Sequence, residues 1–220
     1  MSSERQNLLL RWLLTAGIAF LALELSRAGI ADFLRLEPCA YLDSIQASPK
    51  PPDPARLGAM RDRLVLAGKF DPDNPIIQEY LGIVYFHRAV IAVNDVPLRI
   101  GHLETARDHY KKALALRPNS GYLWAGMAVI SGALLESRPL KSSMSASGAE
   151  GAMANDLRDL KQALTYATRL APWEPGVLSN VIKTGRLHYS AFGSGERRLV
   201  DDAERRARDI KLTVISSSGR

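Results

Sequence analysis

His102 and His109 stand seven residues apart with Glu104 and Asp108 between them, a spacing that on a helix turns both imidazoles to one side, as two ligands of a metal ion would need. A third ligand at metal spacing is missing, so the plainer expectation is a pair of neutral, solvent-facing imidazoles. His87 and His188 are isolated and read as polar rim or satisfied interior residues. The chain has no glycine-rich phosphate loop and no His-Glu-x-x-His, Cys-x-x-Cys or Gly-x-Ser-x-Gly sequence. The expectation is therefore no catalytic residue, no metal and no cofactor, in a protein that is not an enzyme. Cys39 is the single cysteine, which excludes an intramolecular disulfide, and Glu37-Pro38 is a poor match to the small residues that precede a lipidated cysteine.

The net charge of +6 comes from lysines and arginines spread over nearly every segment and interleaved with acids. That pattern gives a solvated surface with some attraction to anionic lipid or polysaccharide, and no basic stripe for nucleic acid. The densest run, from Glu196 to Asp209, alternates arginine with Asp201, Asp202 and Glu204, and reads as a solvated helix face with pairs one turn apart.

What would position any binding residues is a set of helices marked by prolines. Ala67 and Pro72, Ala113 and Pro118, and Ala167 and Pro172 recur with the same five-residue offset, each pair closing an apolar-periodic stretch. Proline ends each helix because it has no N–H to donate and disfavours helical geometry in the residue before it. Asn74 and Asn119-Ser120 then supply cap oxygens, and Pro75 takes a first helical position. Leu81-Gly82-x-x-Tyr85 followed by Ala106-x-x-x-Tyr110-x-x-Ala113-x-x-x-x-Pro118 resembles the tetratricopeptide (TPR) repeat. In such a unit Gly82 lets the second helix approach the first, Leu81 and Tyr85 fill the space between them, and Ala106 and Ala113 keep the facing surface thin. Trp124, Met127 and Ala128 fall at the spacing of the next first helix.

The fold expected is all-α, an N-terminal hydrophobic helix followed by a short TPR-like solenoid of antiparallel helix pairs. Successive prolines are 46 and 54 residues apart, more than the repeat of about 34, so inserts are expected near 88–103 and 133–156. Val93 to Pro97 reads as a turn, and Ser142 to Asn155, rich in Ser, Gly, Ala and Met, as a long loop. A terminal pair follows, with Pro175 at a helix start, Gly193-Ser194-Gly195 as a break, and Leu199, Ala203, Ala207 and Ile210 as the stripe of a last helix.

At the other end, Leu8 to Leu25 is interrupted only by Arg11, Thr15 and Glu24, and as a helix spans roughly 27 Å, close to the hydrocarbon thickness of a bilayer. The domains expected are a tail (1–6), a membrane-anchor helix and extension (7–35), a proline-rich spacer (36–54), the helical-repeat domain (55–212) and a frayed tail (213–220). A single-pass anchor with the repeat domain outside the cytoplasm is the leading reading. A cleavable signal peptide ending near Ala28 or Ala31, and an amphipathic helix packed on the domain, are its competitors.

The TPR resemblance implies that protein partners bind the first helices of each pair, which places the candidate groove on Glu79, Ile83 and His87, then Tyr122 and Val129, then Lys183 and Arg186. The whole arrangement, with Arg169-Leu170-Ala171-Pro172-Trp173-Glu174-Pro175 and the helix carrying Val200, Ala203, Arg206 and Ala207, also resembles VpsP-type accessory proteins of exopolysaccharide biosynthesis. That resemblance implies a bacterial membrane adaptor that holds components of a polymerisation or export machine together. A structural subunit bound through its anchor and inserts, and an enzyme with a dispersed site, are the alternatives.

Overall fold

The computed structural model describes residues 3–46, 51–138 and 146–212, and all its regular structure there is helical. The helices are α1 (Ser3–Gln46), α2 (Pro54–Phe70), α3 (Pro75–Ile91), α4 (Val96–Leu116), α5 (Gly121–Ser137), α6 (Ala146–Leu170), α7 (Pro175–Leu187) and α8 (Ser194–Asp209), with a 3₁₀ turn at Tyr189–Ala191 before the last. They pack as successive pairs, α1 with α2, α3 with α4, α5 with α6 and α7 with α8. Adjacent pairs join through α2 with α3, α4 with α5 and α6 with α7, a solenoid-like stack.

The proline repeat has a physical identity in the three turns between pairs. The N–H groups of Asp71, Arg117 and Ala171 donate to the carbonyls of Ala67, Ala113 and Ala167 at 3.1, 2.9 and 3.0 Å. Three residues on, Asn74, Ser120 and Glu174 donate back to Asp71, Arg117 and Ala171 at 3.4, 3.3 and 3.4 Å, and the next helix begins. The three alanines are fully buried, since any larger side chain would hold the turn away from its neighbour. Asn74 accepts from the Ile76 and Ile77 N–H groups and Ser120 from that of Leu123, capping orphan donors. The last helix ends on Lys211 at φ 55, with the Leu212 N–H returning to Ala207.

Gly82 performs the part expected of it, and a second glycine joins it. A Cβ on Gly82 would lie 2.4 Å from Tyr110 Cδ2, and one on Gly126 of α5 2.3 Å from Tyr110 Cε1. The Tyr110 ring of α4 is thus slotted between two first helices, and it joins the first pair after α2 to the second. Tyr85 lies stacked on His109, ring centroids 5.6 Å apart, between α3 and α4.

Three expectations need correction. The spacer at 36–54 is largely helix, because α1 runs through Pro38 to Gln46 and buries Ala31, Tyr41 and Leu42 against α2 and α3. Proline costs a helix interior about 3 kcal/mol, while each large apolar side chain buried returns roughly 1.5–3 kcal/mol. The Arg56 guanidinium over the Tyr41 ring at 4.5 Å and the Arg63–Glu37 ion pair add to that side of the balance. The lower half of α1 is therefore the first helix of an additional pair.

The loop expected at 142–155 is helix from Ala146 onward, since alanine is the best helix former and Asp156 anchors the segment. The insert near 88–103 likewise goes into longer helices, leaving a turn at 92–95 that Asp95 caps by accepting from the Leu98 N–H. The remainder of the expected loop (142–145) and the expected frayed tail at 213–220 lie outside the described residues.

Candidate functional site

Two surfaces among the described residues bear on function. The first is the upper half of α1, where Trp12, Leu13, Leu14, Ile18, Phe20, Leu21, Leu23 and Leu25 are all more than half exposed. Arg11–Ile45 contains an 18-residue window of mean hydropathy 1.5 in which nothing is buried, so this helix is long and apolar enough to cross a membrane. Its polar groups are satisfied within the helix: the Thr15 hydroxyl donates to the Arg11 carbonyl, that of Ser26 to the Ala22 carbonyl, and Arg27 pairs with Glu24 at 3.1 Å. The expectation of an amphipathic helix packed along its length is overturned by this exposure, since packing begins only at Ala31.

The second surface is a groove along the first helices. Ile83 and His87 of α3, Val129 and Gly126 of α5, Asn180 of α7 and Ile45 of α1 enclose a hollow of about 360 Å³. Phe86 and Val129 continue it into a second hollow of about 240 Å³ that reaches Lys183 and Leu187 of α7, His188 and Arg99 of α4. Burial pushes the His87 imidazole below its ordinary range, so it is neutral near pH 7. His188 is pushed the same way by burial against an opposing effect of Glu136, whose carboxylate is 3.8 Å from His188 Nε2. That nitrogen is buried and has no hydrogen-bond partner among the described residues.

Four of the seven residues expected in the groove, Ile83, His87, Val129 and Lys183, come together in these two hollows. The other three face elsewhere. Glu79 lies 3.8 Å from Arg117, with burial raising its pKa against that partner. Tyr122 is exposed, and the neighbouring Glu174 carboxylate pushes its phenol up to about 12. Arg186 is held by Glu204 and Asp201 of α8 at 2.5 and 2.9 Å, over the Tyr189 ring at 4.5 Å, so it fastens the last pair together. Repeat position alone places one helical turn too coarsely to separate a groove residue from an interface residue. Ile45 comes from an element read as spacer, Arg99 from an insert position and His188, read only as rim or interior, from just past α7, whereas Phe86 and Asn180 lie on first helices at positions the repeat register does not single out.

The remaining chemistry is structural. His102 and His109 both flank Tyr85, and no cluster of three or more metal-ligating side chains occurs among the described residues. Asp156, 1% exposed, receives Arg107 and Arg138 at 2.7 Å on its two oxygens, and Arg138 reaches on to Glu104 at 2.8 Å. This buried network ties α6 at Asp156 to α4 and to the end of α5. No family model, no curated protein and no solved structure matches the chain.

Proposed function

We propose that this protein is a membrane-anchored helical-repeat adaptor, held in the bilayer by the upper half of α1 and taking up protein partners in the groove of the first helices. The observation that carries this reading is the continuity of α1. One helix is bare and apolar over Arg11 to Ile30 and then, without interruption, becomes part of the stacked core. An anchor joined in this way transmits orientation, whereas a flexible linker would only limit distance. The groove runs across α1, α3, α5 and α7, so a bound segment touches several pairs at once.

The repeat domain belongs outside the cytoplasm, and its role is accessory to bacterial exopolysaccharide synthesis or export; the support for this part is the TPR-like and VpsP-like patterning around Gly82 and Arg169 to Pro175. Two measurements test the proposal. An alkaline phosphatase fused behind Leu212 is expected to be active and membrane-bound after a carbonate wash; an inactive fusion, or one released by the wash, removes the anchor or its orientation. A strain lacking the gene is expected to lose extracellular polysaccharide and to regain it from the full chain but not from residues 31–220. Unchanged polysaccharide in the deletion strain removes the exopolysaccharide role.

A further inference from the structure

The smaller hollow of the groove has a charge that its own fold does not use. Arg99 at the start of α4 and Lys183 on α7 line it from opposite sides, and neither has an ion-pair partner among the described residues. The carboxylate in the hollow, Glu136, lies beside His188. Arg107, Arg138 and Arg186, by contrast, are each held in ion pairs with acids of neighbouring helices. The wall between them is apolar, and Val90 and Leu187 on its rim are 51% and 58% exposed.

Size limits what fits. At about 240 Å³ the hollow is below the range of roughly 300–1,000 Å³ typical of small-molecule sites, and it shares Phe86 and Val129 with the larger hollow beside Ile83. A depression of this volume holds one or two side chains of a segment lying along the groove. The unpaired guanidinium offers a carboxylate two parallel N–H donors, and the lysine adds a point charge.

We propose that the groove binds an acidic, apolar protein segment of the partner, with an Asp or Glu side chain between Arg99 and Lys183 and a neighbouring Leu, Ile, Met or Phe in the hollow of Ile83, Gly126 and Val129. This rests on the adaptor reading and names the chemistry of its partner.

The experiment uses the full chain in lipid nanodiscs, panned against a display library of short random peptides that has first been cleared on empty nanodiscs. Enriched peptides are synthesised and their affinities measured by fluorescence anisotropy. The expected consensus has an acidic residue within a few positions of a large apolar one. Its affinity is expected to fall about tenfold or more in the double variant Arg99→Glu, Lys183→Glu, and to weaken as salt is raised. The same double variant is expected to bind the peptide in which the acid is replaced by lysine; this gain also shows that the variant is folded, and Lys183→Gln, at an exposed position, gives an intermediate loss. Enriched peptides without an acidic position, or with affinity unmoved by the double variant, overturn this inference and leave the adaptor reading standing. No enriched peptide from the full chain overturns both.

Discussion

Tyr110 shows how narrow the tolerance of this fold is at single positions, because its ring has backbone on both sides where side chains would ordinarily stand. Gly82→Leu is expected to force α3 from α4 and to destabilise the protein by on the order of 2 kcal/mol through overpacking. A thermal melt checks it, and an unchanged midpoint would remove Gly82 from the contact. The histidines give a second residue-scale expectation. His87, His102, His109 and His188 are all pushed below the ordinary value of 6.5, each first by burial, with Arg88 adding to it at His102 and Lys112 at His109, and with Glu136 opposing it at His188. The unfolded chain takes up these protons first on acidification, so the stability that neutral imidazoles give is present above about pH 6.5 and is lost as pH falls through that value toward the folded pKa values. Denaturant midpoints at pH 7.5 and 5.5 measure this, with the lower pH expected to be less stable and His87→Gln expected to flatten the difference.

At the scale of elements, α1 and α6 carry the main lessons. Pro38 and the proline-rich run after it read as extended chain, and the serine, glycine and alanine content before Asp156 reads as loop. Both segments are helical up to Gln46 and from Ala146, because each has a partner surface that rewards helix over its local preference. For α1 the partners are Arg56 and Arg63 of α2 and the apolar floor around Leu57 and Leu64. For α6 they are Arg107 of α4 and Arg138 just past the end of α5, which both reach Asp156. Ala152→Pro tests the second point, since proline beyond the first turn of a helix removes a hydrogen bond and clashes with the preceding turn. The expected result is a loss of helical circular dichroism and a lowered melting temperature; a loop would accept the change without either.

At the scale of the whole molecule, the anchor and the repeats are one continuous object with a division inside α1 at about Ala31. Removing residues 1–30 is expected to give a soluble, cooperatively folding protein, because nothing in the described part of that segment beyond the half-exposed Arg27 is even partly covered. Removing residues 1–46 takes away Tyr41 and Leu42 and uncovers Leu57, Met60 and Leu64, so that form is expected to aggregate or to lose several kcal/mol, roughly one large side chain's worth per buried residue removed. Size-exclusion elution and urea unfolding of the two forms separate them. Equal behaviour would return the domain boundary to the vicinity of Pro54.

What the sequence determined by itself was whatever acts within a few residues of chain. The Ala-x-x-x-x-Pro offset fixed three turns, Asn74 and Ser120 fixed two helix starts, and the apolar run from Leu8 to Leu25 fixed a helix able to cross a membrane, because caps, prolines and hydropathy operate locally. The tertiary structure decided the rest. It decided that helix continues through Pro38, that Ala146 to Asn155 is helical, that Arg186 fastens α8, and that Arg99 and Lys183 line one hollow. Each of those outcomes depends on burial and charge contributed by elements tens of residues away, and their sum outweighs the preference of any single position.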